Sequence, residues 1–196
     1  MAKIKEEIRK EEIRYKERKQ FILEGFRRIF KNSKLDLVDV KDKLDQVKGI
    51  DAYLKHDDFT KNIEFKHGTD NKDYVTLEVL NIQTNPQKEC PYIKDFGWST
   101  DTKKISDYIC FSYKEYFILV DKQDLEKYVK ENYFNLLHGS RSNTTYFKST
   151  DSKQRSFYKN IPIDELLEKI GGAIYYYKDK SAYKYKKKSL RTSINS

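Results

Sequence analysis

Cysteine and histidine are too sparse in this chain to build a scaffold or a metal knot. Cys90 and Cys110 lack paired or ligand spacing, and the three histidines, His56, His67 and His138, are scattered. A disulfide framework and a zinc finger are therefore excluded. No run approaches the roughly 20 apolar residues that span a bilayer. The start, Met1-Ala2-Lys3-Ile4-Lys5, leads into charges rather than a secretory segment. A soluble, cytoplasmic protein with no membrane partner is expected. Gly-x-Gly-x-x-Gly, Gly-Lys-Ser/Thr and Gly-x-Ser-x-Gly are all missing, which removes support for dinucleotide, nucleoside-triphosphate and serine-hydrolase chemistry. No internal repeat is visible.

What is present is charge and aromatic surface. Of the 196 residues, 37% are hydrophobic, 36% charged and 14% aromatic. That aromatic share is far above what disordered segments carry, so a folded core is expected. The net charge of +9 is concentrated at the ends: residues 1–31 carry +5 and residues 174–196 carry +6, leaving the middle at −2. This length suits one well-buried domain. The chain reads as a charged helical extension over 1–19, a core over 20–137, a basic loop with a short helix over 138–173 and a Lys/Tyr-rich tail over 174–196.

Residues 3–31 have no Pro and no Gly before Gly25, with apolar residues loosely at helical spacing; this predicts one long helix whose second half, Phe21 to Phe30, docks on the core. Extended patterns follow at Gly49–Leu54, Asn62–His67 and Tyr74–Ile82, read as a three-stranded antiparallel meander. Residues 83–104 read as an irregular or helical link. Strands are then expected at Ile105–Tyr113 and Glu115–Asp121, a helix at Gln123–Phe134, a mobile polar arm at 138–160 and a short helix ending at Gly171-Gly172. Ile174–Tyr177 has the pattern of an additional strand.

One constellation carries chemistry. In extended chain, residues two apart share a face, so Glu64 and Lys66 project together with Phe65 opposite. Hairpin pairing brings Asp51 beside Glu64. Two carboxylates next to a lysine suit Mg²⁺ or Mn²⁺, hard cations that take oxygen ligands and acidify a bound water. Six acidic-x-Lys triplets occur in the chain, but Glu64/Lys66 alone sits in an apolar strand pattern after another strand-borne Asp. Glu78, on the next strand, either adds a ligand or faces a lysine across the strands. Trp98 reads as a core anchor rather than a base-stacking platform, and Asp107 as a cap at the start of its strand.

Gly49-Ile50-Asp51-Ala52-Tyr53 and Ile63-Glu64-Phe65-Lys66, with Leu77-Glu78-Val79-Leu80-Asn81, Gly97-Trp98 and Asp107-Tyr108-Ile109, resemble the PD-(D/E)xK nuclease superfamily over about residues 20–130. The likeness is to its small phage and prophage members, and the Asp-to-Glu spacing is similar to that of archaeal Holliday-junction resolvases. The resemblance implies an α+β (α/β), restriction-endonuclease-like core with a central mixed sheet of about five strands flanked by helices. It implies that Asp51 and Glu64 bind metal, that Lys66 assists catalysis and that a helix-one acid joins them, best matched by Glu24 with Glu17 as the alternative. It further implies endonucleolytic hydrolysis of DNA and, by analogy with resolvases, a homodimer.

The basic flanks suit a nucleic-acid partner, since lysine approaches phosphates and tyrosine stacks on bases. Candidates are Arg141, Lys148, Lys153 and Arg155 in the arm and Lys184, Lys186, Lys187 and Lys188 in the tail. The same residues also read as a solvated loop and tail. The rival to a nuclease is a catalytically silent nucleic-acid-binding or virion-associated protein on the same fold.

Overall fold

The structure, a computed structural model, describes residues 2–68, 70–83, 92–95, 97–99, 103–132, 135–136, 145–151 and 154–186. In chain order the elements are α1 (Ala2–Phe30), β1 (Asp36–Asp39), α2 (Lys43–Val47), β2 (Ala52–His56), β3 (Phe59–His67), β4 (Tyr74–Gln83) and β5 (Tyr92–Asp95). There follow β6 (Tyr108–Ser112), β7 (Tyr116–Asp121), α3 (Lys122–Glu131), β8 (Thr145–Asp151), β9 (Gln154–Pro162), α4 (Ile163–Ile170), β10 (Gly172–Tyr176) and β11 (Ala182–Tyr185). The class is α+β, built as three layers.

The middle layer is a mixed sheet in the order β1-β2-β3-β6-β7-β10-β11. It has seven strands rather than the expected five, because β1, β10 and β11 join it while β4 belongs to a second sheet. β3 and β6 run parallel, in register from Ile63↔Tyr108 to His67↔Ser112; the other pairings are antiparallel. Alternation on β3 and β6 sets the faces. Ile63, Phe65 and Cys110 join Ile22, Phe26 and Ile29 of α1 in one core, while Ile109 and Phe111 belong to a second core on the opposite side. That second core is closed by a sheet ordered β5-β4-β9-β8, through Val75, Leu77 and Val79, and by α3 and α4, through Leu125, Val129, Leu166 and Leu167.

Four expectations are corrected. The β2–β3 hairpin forms, but β4 does not continue the meander; it pairs with β9 from Tyr74↔Pro162 to Gln83↔Gln154. The free side of β3 is taken by β6 instead, and a parallel partner requires a crossover, which β4 and β5 provide. The 138–160 arm is largely the β8–β9 hairpin. Its Ser, Thr and Lys content looked like loop, yet Thr145-Tyr146-Phe147 and Phe157-Tyr158 are strand formers. The 174–196 tail holds more sheet than the strand expected at Ile174–Tyr177: β10 pairs with β7 and with a further strand, β11, and Tyr175 is fully buried. Ala173, Tyr175 and Tyr177 alternate toward α1, a period of two hidden by three consecutive tyrosines. Docking of α1 also starts before Phe21: Tyr15 packs on Phe65 at 4.9 Å, and Arg18 donates to the carbonyls of Gly68 and Ser112 at 3.1 and 3.2 Å. No helix among the described residues is long and apolar enough to cross a membrane.

α1 lies close on the sheet at Gly25, where a Cβ would stand 2.4 Å from Phe117 Cε1 and 2.7 Å from Tyr175 Cδ1. Both rings are fully buried. Gly25→Ala gains roughly 1 kcal/mol of helix propensity but forces α1 off the sheet, an overpacking cost of about 1–3 kcal/mol. A lower urea midpoint at unchanged m-value is the expected outcome.

Candidate functional site

The site lies where β2 stops short of β3. The peptide N–H of Asp51 donates to the Ile63 carbonyl at 2.8 Å, and Val40 N–H donates to the Asp51 carbonyl at 3.0 Å. The next donor on β3, Phe65 N–H, has run past the start of β2. The Asp51 side chain fills the gap, its Oδ2 accepting from Phe65 N at 2.7 Å. Asp51 therefore extends the ladder with a carboxylate. Burial pushes its carboxyl above the ordinary range; the Phe65 N–H pulls it down, Glu64 adds to the rise, and Lys66 and Lys104 oppose it.

Glu64 lies on β3 between Ile63 and Phe65, the two residues to which Asp51 bonds, and its side chain is 4% exposed. A carboxylate so enclosed needs partners. Lys66 Nζ lies 2.6 Å from Glu64 Oε1, and Ser106 Oγ donates to Oε2 at 3.3 Å. The Lys66 ammonium also sits 4.5 Å from the centroid of the Trp98 ring. Gly49, with φ +77°, admits no side chain: a Cβ would meet Lys104 Cδ at 2.8 Å and Glu64 Oε2 at 3.1 Å. Lys104 Nζ is tied to the Val47 carbonyl at 2.8 Å. Glu64 and Lys66 thus form an ion pair, Asp51 adjoins them through its bond to Phe65 N–H, and Lys104, Ser106 and Gly49 surround Glu64. Lys104 and Ser106 carried no sequence signal because a loop distant in the chain delivers them; Gly49 was visible only as the Gly preceding Ile50-Asp51.

The other predicted residues lie elsewhere. Glu78 accepts the Trp98 N–H at Oε2, 3.3 Å away. Glu24 is paired with Arg28 at 3.4 Å and Lys180 at 3.2 Å, on the side of α1 facing the β10–β11 turn. Neither joins the Asp51–Glu64 pair, and among the described residues no group of three or more His, Cys, Asp or Glu side chains could hold a metal ion. Among the described α1 side chains, Tyr15 rather than an acid lies beside Asp51. With Asp39, Gln46, Asp51, Phe65 and His67 it lines a cleft of about 370 Å³. Its hydroxyl donates to Asp39 Oδ1 at 2.5 Å, and Lys19 Nζ pairs with Oδ2 at 2.8 Å. Asp107 does not cap its own strand; it accepts Asn62 N–H at 2.8 Å and Lys61 Nζ at 3.1 Å, bracing β3. Trp98 packs on Phe111, centroids 6.1 Å apart.

Of the basic candidates, Lys184 on β11 and Lys186 just after it are exposed, β11 being four strands from β3 and so about 19 Å away across the sheet. Lys148 and Arg155 lie on β8 and β9. Arg141, Lys153, Lys187 and Lys188 lie outside the described residues. Compared with family models, curated proteins and solved structures, the chain matches none.

Two carboxylates fit a divalent cation that keeps several waters, since Mg²⁺ commonly takes only one or two protein carboxylates. Without a cation the same pair is a liability. Because burial raises the Asp51 carboxyl in the folded state, ionised Asp51 weighs against folding at every pH above that raised value. The cost fades as pH falls toward the ordinary carboxylate range, below which the group is protonated in both states. Asp51→Asn, which retains an oxygen for Phe65 N–H, should therefore stabilise the fold in EDTA at neutral pH. The gain should vanish near pH 3, as checked by denaturant unfolding at both pH values.

Proposed function

We propose that this chain is a metal-dependent endonuclease of the PD-(D/E)xK type, hydrolysing phosphodiester bonds of DNA in a phage or prophage setting. The observation that carries the reading is the Asp51 carboxylate bonded to Phe65 N–H at 2.7 Å, next to Glu64, whose Oε1 lies 2.6 Å from the Lys66 ammonium. The order α1-β1-β2-β3, followed by a crossover to β6 and β7, also supports it.

In this reading Asp51 and Glu64 hold Mg²⁺ or Mn²⁺. The ion supplies Lewis acidity and an acidified water. Asp51 is held by one oxygen on a backbone N–H, which fixes its orientation without consuming the other oxygen. Glu64 is enclosed, so its charge acts in a medium of low dielectric. Lys66, one-third exposed, reaches solvent with its ammonium and offsets charge building on the phosphate, as positioned cations do in phosphoryl chemistry. Lys104 adds a second positive charge beside the carboxylates.

The rival reading, a silent nucleic-acid-binding or virion-associated protein, has one observation in its favour. Glu64 is already neutralised by Lys66 and hydrogen-bonded by Ser106, as a purely structural ion pair would be. Cleavage decides between them. Asp51→Ala and Glu64→Ala should each lower Mg²⁺-dependent cleavage of duplex or branched DNA by at least about a hundredfold, as expected for a lost ligand or electrostatic stabiliser. Binding in EDTA should change little, as measured by titration of labelled DNA. Lys66→Ala should lower turnover far more than metal affinity, read from rate against Mg²⁺ concentration. Wild-type protein that binds DNA and cleaves none of these substrates would establish the silent alternative.

A further inference from the structure

The turn Gly97-Trp98-Ser99 is clamped from three sides. Trp98 N–H donates to the Glu78 carboxylate at 3.3 Å, and Ser99 Oγ donates to the Glu78 carbonyl at 2.7 Å. Lys122, whose residue is 3% exposed, donates through Nζ to the Ser99 carbonyl at 3.1 Å. Gly97, at φ +68°, lets the turn lie directly on β4: a Cβ there would stand 2.3 Å from the Glu78 carbonyl oxygen. A packing residue alone needs no such fixation, since the contact with Phe111 is apolar and non-directional. What the clamp fixes is the backbone from which the indole projects; the ring rests against Phe111, and its face carries the Lys66 ammonium.

We propose that Trp98 is a positioning residue for Lys66, and that Glu78 and Lys122 act through it. A lysine has four rotatable bonds and costs about 2 kcal/mol of rotamer entropy to hold still. The Glu64 contact restrains the ammonium from one side, but a cation displacing it from Glu64 would release the chain. The indole face then keeps Nζ in place, because a tryptophan ring attracts an ammonium most strongly of the aromatic side chains. The sheet layer behind β4 thereby supports the chemistry of β3, and Glu78 has a function without being a ligand. The catalytic consequence rests on the nuclease reading; the placement of the ammonium does not.

Trp98 is the one tryptophan of the chain, so replacing tryptophan biosynthetically with its mono- and difluoro analogues alters this ring alone. Fluorine depletes the negative ring face while leaving packing nearly unchanged, so a merely structural role would not respond. In full-length protein labelled with ¹³C-lysine, with the resonance assigned by Lys66→Arg, the Lys66 ε-methylene protons should lie upfield of other lysines through the indole ring current. They should return to the common position in Trp98→Leu. Turnover with Mg²⁺ and DNA should fall stepwise with each fluorine, toward the about two- to thirtyfold loss that corresponds to a cation–π contact, while DNA affinity in EDTA stays constant. An unshifted Lys66 resonance, or turnover indifferent to fluorination, would overturn the proposal. Absence of cleavage by unmodified protein would instead remove the nuclease reading, and the lysine resonance would then decide the placement by itself.

Discussion

Burying a carboxylate in an inner strand is the constraint around which this molecule is arranged. Glu64 pairs with Ile109 of β6 on one side and lies just past the start of β2 on the other, and an uncompensated charge there would cost several kcal/mol. Compensation comes first from its own strand, since Lys66 lies two residues on and shares its face. The remaining space is shaped to fit: Gly49 contributes no side chain, Ser106 caps the second oxygen, and Lys104 is tethered by the Val47 carbonyl. A one-residue slip of β3 would exchange Glu64 and Lys66 for Ile63 and Phe65. The charged pair and the apolar pair thus specify the register jointly, and the parallel match with β6 inherits it.

From that register follows the division of labour between layers. α1 receives the apolar face of β3 and supplies Ile22, Phe26 and Ile29. The second sheet and α3 and α4 cover the opposite face chiefly over β6 and β7, where Phe111, Ile118 and Val120 are apolar. At β3 that face is charged, and the cover changes from aliphatic side chains to the ring of Trp98. The cleft beside Tyr15 reaches Asp51 from the α1 side.

Local patterning made the elements of the site legible, and chain-distant pairing hid its surroundings. Asp51, Glu64 and Lys66 were readable because a hairpin converts spacing into proximity, and β2 pairs with β3 across a turn of two residues. α1, α3 and α4 were readable from period and caps; Asp121, for example, accepts from Gln123 and Asp124 N–H at the start of α3. The second sheet was not readable. Nothing local in Tyr74–Gln83 distinguishes a third meander strand from a strand that awaits β9, because both demand the same alternation. Glu24 was chosen by its place on the first helix, but helical phase turns it toward Lys180 and brings Tyr15 to Asp51. β1 went unread because four residues, Asp36-Leu37-Val38-Asp39, are too few to establish a period.

The pairing of β4 with β9 has a consequence for the order in which the molecule becomes complete. Thr76 Oγ1 bonds Asn160 Oδ1 across 84 residues of chain, and α1 meets β7 at Phe117 and β10 at Tyr175 across longer spans still. Contacts of such separation form late, because loop closure precedes any reward from them. On a ribosome, the strand carrying Glu78 has no neighbour at β9 until residue 162 has emerged, and the first helix has only part of its seat until Tyr175 follows. The β2–β3 hairpin, with its charged pair, is made early and waits unsupported. A nascent chain therefore holds the acids and the lysine well before it holds the layers that orient them, and any chemistry they perform belongs to the finished protein.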